Sequence, residues 1–129
     1  MYSREGFEIE RERPASEVIL LRVRGEIDLW ASLPLMEAIS EAFAGAPALI
    51  AIDLSEVTYM DSAGLRPLVE GSRHLEEAHT RFVVICTPGS QVARLLGQPG
   101  AHRALNVHES REDALGPWLD EAGELPAGV

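Results

Sequence analysis

The residues whose types and spacing could do chemistry stand together at positions 59–67, YMDSAGLRP: Asp61 directly precedes Ser62, Gly64 follows two places on, and Arg66-Pro67 comes after. A serine so placed can attack a substrate, accept a phosphate or cap a helix. Attack from a strand-to-helix elbow calls for glycine two places before the serine as well as two after, because the turn is strained. Met60 holds the first of those places. A histidine base is also needed, and His74, His79, His102 and His108 have no spacing that marks one of them for the task. A phosphate-cradling loop needs its lysine, and the chain has none.

A receiver domain, with a phosphoacceptor such as Asp53 at a strand end, has a similar α/β pattern. That likeness implies a lysine on the final strand and an acidic pair after the first, and neither is present. Capping is the plainest use of Asp61 or Ser62 and contributes about 0.5–2 kcal/mol. Three places on stand Gly64 and Leu65, so no Glu or Gln completes a capping box. A proline ring clashes with the carbonyl four places back, so Pro67 predicts a regular helix beginning near Gly64 to Arg66, with Ser62 at its mouth. Free amides and the positive end of the helix dipole would favour an anion there by about 0.3–1 kcal/mol. Asp61 and Asp28 would oppose the roughly two negative charges that a phosphate adds. Such a serine can be modified without unfolding the protein while the preference of its outer surface changes.

Elements must position these groups. FEIERERP and EVILLRVRG, joined at Pro14-Ala15-Ser16, read as two strands with Phe7 and Ile9, then Ile19, Leu21 and Val23, on one side. Leu29, Leu33, Met36, Ile39 and Phe43 recur at helical spacing and predict an amphipathic helix ended by Gly45 to Pro47. ALIAIDLS, residues 48–55, is an apolar run typical of a strand covered on both faces. Leu65, Leu68, Val69, Ser72 and Leu75 then mark a helix face, with EGSRHLEEAH on its wet side. RFVVICT reads as a second buried strand, and SQVARLLG as a short helix capped by Ser90 and stopped by Gly97 through the left-handed conformation glycine tolerates. RALNVHES reads as a last strand, and REDALGPWLDEAG as a terminal helix kinked at Gly116-Pro117.

The order β-β-α-β-α-β-α-β-α places the chain in the α/β class: one domain with a mostly parallel sheet, an antiparallel N-terminal edge hairpin and about four helices. Its boundaries fall at residues 6–122, between a flexible N-terminus (1–5) and a flexible tail (123–129). Functional groups of such sheets collect at the carboxyl ends of the strands, where Asp61 and Ser62 lie.

Charge narrows the partners. Against 21 acidic residues stand 11 arginines, and the net charge of −10 repels phosphate backbones and anionic lipid, so neither nucleic acid nor membrane is expected. Cys86 is the only cysteine, which excludes an internal disulfide and a thiolate zinc cage. MYSREGFEIERERP has no apolar signal core and no apolar run approaches a membrane span, so the expected location is the cytoplasm. Glu76 and His79 have ligand-compatible spacing but sit on a charged face and read as solvated; no metal or cofactor is expected. Cys86 reads as a small buried hydrophobe. Trp30 and Trp118 read as packing residues, with partner contact the lesser alternative for Trp30 beside Asp28.

On MDSAGL, on GEID at residues 25–28 and on the strand order, the sequence resembles the anti-sigma factor antagonists of the STAS domain family (sulphate transporter and anti-sigma factor antagonist), over residues 6–122. The resemblance implies that Ser62 is phosphorylated by a partner that is both anti-sigma factor and serine kinase. The unphosphorylated form would bind that partner and free the sigma factor, and a metal-dependent serine phosphatase would restore it. No catalysis by this chain is implied. Carried over residue by residue, Asp28 and Asp61 flank the acceptor, Gly64 and Leu65 lie at its helical edge, and Ala63 and Arg66 complete the partner-binding stretch. Ala63 departs from a second hydroxyl residue often found there, and Arg66-Pro67 replaces a small glycine-containing continuation. The alternative within the fold is a non-switching STAS scaffold or sensor-coupled binding module.

Overall fold

In a computed structural model, which describes residues 2–119, six strands form one sheet in the order of the sequence: β1 (Tyr2–Arg4), β2 (Phe7–Ala15), β3 (Val18–Ile27), β4 (Leu49–Met60), β5 (Arg81–Ile85) and β6 (Val107–His108). β1 pairs with β2 and β2 with β3 antiparallel, while β3 to β6 run parallel. The parallel strands are joined through α1 (Leu29–Ala44), α2 (Ser62–Glu77), and α3 (Gln91–Leu96) followed by α4 (Pro99–Ala104); α5 (Arg111–Leu115) follows β6. This is the α/β architecture expected, with antiparallel strands at the N-terminal edge.

Alternation along the strands divides the interior. Ile19, Leu21, Val23, Ile50, Ile52, Phe82 and Val84 face one way and pack beneath α1 to α4. Val18, Leu20, Leu49, Ala51, Val83 and Ile85 face the other way, where Ala114 and Leu115 of α5 cover them. Cys86 is buried in the first of these layers, and burial, with Glu109 adding to it, pushes its thiol pKa up. Trp118 packs against the second layer. Cys86 and Trp118 thus have the structural roles that their sequence context suggests.

Four details differ from the sequence reading. Residues 2–4, expected to be a flexible lead-in, form β1, whose Tyr2 stands opposite Ile9 and whose ring lies 5.8 Å from that of Phe7. Among the described residues there are five helices rather than about four: Pro99 opens α4, which takes Arg103 and Ala104 out of the expected last strand and leaves β6 two residues long. Gly97 does end α3, but in a right-handed conformation at φ −79. The fourth difference concerns α1. Its buried residues are Ala31, Leu35, Ile39 and Ala42, whereas Leu29, Leu33 and Phe43 of the expected core face are exposed.

The terminal helix breaks into a 3₁₀ turn (Gly116–Trp118) at the expected Gly116-Pro117. The proposed boundary at 122 and the tail 123–129 lie outside the described residues. Among the described residues, no helix is long and apolar enough to cross a membrane.

Candidate functional site

The carboxyl ends of β3 and β4 lie side by side, Ile27 opposite Met60, and each strand runs directly into a long helix. Both helices begin alike. Asp28 caps α1, its Oδ1 accepting the Ala31 N–H at 3.0 Å, and Asp61 caps α2, its Oδ1 accepting the Ala63 N–H at 2.9 Å. Both caps have extended backbones, and the Asp61 N–H also donates to the Ile27 carbonyl at 3.1 Å, so the two helix mouths are stitched together. Pro34 and Pro67 each stand six residues beyond their cap, where the missing N–H leaves the carbonyls of Trp30 and Ala63 without their helical donors.

Pro67 therefore does not delay α2 to Gly64 or beyond. The helix begins at Ser62 itself, because the Asp61 cap and the burial of Gly64 and Leu68 hold the first turn in place despite the interior proline. Gly64 is the close-approach residue of this turn: a Cβ there would lie 2.7 Å from Met60 Cγ and 2.8 Å from Ile27 Cγ2. Gly64 is buried and offers nothing to a partner, and Leu65 is partly buried against the core. Asp61 and Ala63 are partly exposed, and Ser62 and Arg66 are exposed. Arg66 pairs with Glu70 at 3.1 Å. Since Asp61 makes the cap, the Ser62 hydroxyl is left out of that bond.

Ser62 opens onto a shallow depression of ≈ 610 Å³ between the two helices, lined by Leu29, Ser32 and Met36 of α1 and by Ser62, Ala63 and Arg66 of α2, among others. Beside it α1 presents Leu29, Trp30 and Leu33, which are 67%, 73% and 59% exposed. Trp30 is thus not a packing residue. The signal that could have found this patch was present: α1 carries more apolar residues than one face holds, and Ala31, Leu35, Ile39 and Ala42 recur at a helical spacing as good as that of the bulkier set. Asp28 also pairs with Arg4 of β1 at 3.2 Å, a second role that its spacing does not reveal.

The other sequence candidates lie elsewhere. None of the four histidines lines the depression that holds Ser62, so no base for a serine nucleophile is assembled. Asp53 faces the opposite side of the sheet with its side chain 3% exposed, and its Oδ1 accepts the Ser55 amide and hydroxyl at 2.9 and 2.6 Å. Arg111 Nε donates to its other oxygen at 2.9 Å. Burial pushes the Asp53 carboxyl up, but the Ser55 hydrogen bonds and Arg111 outweigh it and hold the pKa below its ordinary value. Glu76 and His79 line a cleft at the far end of α2, and no group of three or more potential metal ligands occurs among the described residues.

Around Asp53, the outer face of β2 to β4 carries a ladder of ion pairs. Arg22 meets Glu10, Glu12 and Glu56, and Arg24 meets Glu8 and Glu56. The Glu10 hydrogen bond, the largest influence, raises the Arg22 pKa. This face is dominated by paired charges, and its one exposed large apolar side chain among the described residues, Tyr59 of β4, stands apart from the cluster that α1 presents.

Comparison with known proteins agrees with this fold. The family model described as "STAS domain" matches residues 10–114. The sequence is 34% identical over 98 residues to the anti-sigma-F factor antagonist RsfB of Mycobacterium tuberculosis, covering 76% of this chain and 79% of that protein. The fold is similar to the crystal structure of an anti-sigma factor antagonist from Mycobacterium paratuberculosis, with a TM-score of 0.78, 26% identity, and 90% of this chain and 97% of that chain covered. It also matches the fold of the Bacillus cell fate determinant SpoIIAA in its phosphorylated form, with a TM-score of 0.65, 24% identity, and 84% and 97% of the two chains covered.

Proposed function

The chain belongs to the STAS domain family, and from that premise we propose that it is a cytoplasmic anti-sigma factor antagonist switched by phosphorylation of Ser62. The observation that carries this reading is the placement of an exposed serine at the first position of α2, beside the exposed Leu29, Trp30 and Leu33 and relieved of capping by Asp61. The protein acts through contacts and catalyses nothing itself.

In the unphosphorylated form, the apolar patch of α1 and the mouth of α2 form one surface that an anti-sigma factor serine kinase covers. Desolvating an exposed tryptophan and two leucines supplies binding free energy, and aromatic anchors of this kind dominate interfaces. The carboxylates of Asp28 and Asp61 and the side chain of Arg66 rim that surface and fix its register. The same contact presents the Ser62 hydroxyl to the nucleotide of the kinase.

Transfer of the terminal phosphoryl group breaks its bond to the nucleotide and forms one to Ser62 Oγ, whose proton leaves. The product carries roughly two negative charges at neutral pH. The amide of Ala63 is already held by Asp61, so the phosphate gains little from the first turn and adds repulsion from Asp61 and Asp28. Burying that charge against the partner costs more than leaving it in water, and the complex opens. A serine phosphatase then returns the protein to its binding form. Neither nucleic acid nor membrane takes part directly.

Incubation with the cognate kinase and ATP tests this reading by intact-mass measurement. One phosphate is expected on the wild type and none on Ser62→Ala; phosphate on a different residue contradicts the assignment.

A further inference from the structure

The last residue of β4 has a partner that is not a strand. Ladder pairing between β4 and β5 ends at Asp53 opposite Ile85, while β4 continues for seven residues to Met60. On that unpaired edge the Gln91 side chain, first in α3, occupies the place of a neighbouring strand. Its Oε1 accepts the Met60 N–H at 2.9 Å and its Nε2 donates to the Met60 carbonyl at 2.8 Å. A primary amide carries a donor and an acceptor side by side and so can meet both backbone groups of a strand residue at once.

The contact lies two residues from Ser62. On the other edge of β4, the next residue, Asp61, donates its N–H to the Ile27 carbonyl at 3.1 Å, and Met60's side chain packs under Gly64. Met60 is therefore held by α3 on one edge and by the first turn of α2 above. Asp61, which follows it, caps Ala63 through its side chain and receives the Gly64 N–H at 3.0 Å on its carbonyl. A shift at Met60 is transmitted to the turn that carries Ser62 by covalent connection and these two bonds. Ser90, capping α3 through the Ala93 N–H at 3.0 Å, holds Gln91 at the helix start from which its amide reaches Met60.

We infer that Gln91 is a positioning residue for Ser62: it acts through Met60 and Asp61 to fix the angle at which the first turn of α2 presents the hydroxyl. The functional half rests on the switch proposed above, and the geometric half does not. Loss of the amide leaves two backbone groups of Met60 to water and lets the cap and first turn fray, while the core beneath Ile50 and Ile52 is untouched.

Backbone amide exchange and chemical shifts of the ¹⁵N-labelled chain test the inference directly. In Gln91→Ala, the Met60 amide should exchange about tenfold faster, and the Ala63 and Gly64 amides about threefold faster, while those of Ile50 and Ile52 keep their protection. In Gln91→Glu, an ionised carboxylate accepts from the Met60 N–H but cannot donate to its carbonyl, whereas the protonated acid does both. The Met60, Ala63 and Gly64 shifts of that variant should move toward the wild-type values as the pH falls through the carboxylate range, by more than at the same positions of Gln91→Ala, in which Asp61, the cap of Ala63, and Asp28 are the carboxylates facing the turn. With the cognate kinase, kcat/KM for phosphate uptake on Ser62 should fall about tenfold in Gln91→Ala. Ala63 and Gly64 amides that stay protected when Met60 opens would reduce Gln91 to a local cap on the strand edge and overturn the inference, as would a loosened turn with undiminished phosphate uptake. A wild type that takes no phosphate contradicts the switch alone, since the exchange measurements decide the geometry without it.

Discussion

Arg111 Nε lies 2.9 Å from Oδ2 of Asp53, joining α5 to the middle of β4 on the face of the sheet opposite to Ser62. The aspartate that a receiver domain would use for chemistry is here a buried anchor. Arg111 itself is 41% exposed and also reaches Glu12 at 3.5 Å, so water screens part of the pair.

Arg111→Ala should lower stability by about 1–3 kcal/mol at neutral pH, because a buried carboxylate loses a charged donor. The folded-state pKa of Asp53 lies below the ordinary value of 3.8. Between those two values the unfolded chain binds more protons than the folded one, so stability rises with pH across that interval. The contribution is fully present above the ordinary carboxylate range and is lost as pH falls through the depressed pKa. Urea unfolding of both proteins at neutral and strongly acidic pH checks this: the gap should narrow in acid, and an equal gap at both would contradict it.

Gly64→Ala should destabilise the fold by about 1–3 kcal/mol through overpacking, since its Cβ would lie 2.7 Å from Met60 Cγ and 2.8 Å from Ile27 Cγ2. Because α2 would have to lift at the turn bearing Ser62, phosphate uptake should fall as well. Thermal unfolding together with the kinase assay measures both, and a variant as stable and as readily modified as the wild type would show that the turn yields without cost.

Trp30→Ala and Leu33→Ala should leave the melting temperature within about 2 °C of the wild type, as expected for side chains that pack on nothing beneath them. Trp30→Ala should weaken binding to the anti-sigma factor partner by about 1.5–3 kcal/mol. Calorimetric titration gives the affinity. A large drop in melting temperature with unchanged affinity would return Trp30 to the core.

How far the sequence disclosed this arrangement varies with the kind of signal. β2 to β5 were legible because alternating and continuous apolar runs report directly on faces of a sheet, and α2 because Leu68, Ser72 and Leu75 sit on its one buried stripe. α1 misleads because it is apolar on two faces for two reasons. Ala31, Leu35, Ile39 and Ala42 meet the sheet, while Leu29, Trp30 and Leu33 face solvent, so of the residues that spacing selects Ile39 is buried and Leu29, Leu33 and Phe43 are not. β1 and α4 are too short for periodicity to speak. At the site, Ser62 and its acidic neighbour could be picked out from residue types. The start of α2 could not, because Pro67 argues against a helix that the Asp61 cap and the packing of Gly64 sustain. Contacts between segments distant in sequence, such as Asp28 with Arg4 or Gln91 with Met60, leave no local pattern to read.

The central claim is that one phosphate on Ser62 turns a binding surface off, and the affinity of the two forms for the same anti-sigma factor partner measures it most directly. The unphosphorylated protein should bind at least about 10- to 100-fold more tightly, a difference of about 1.4–2.7 kcal/mol, with Ser62→Glu falling between the two forms and Ser62→Ala close to the unmodified wild type. Equal affinities of the phosphorylated and unphosphorylated proteins would contradict the switch and leave a STAS module that binds its partner without regard to Ser62.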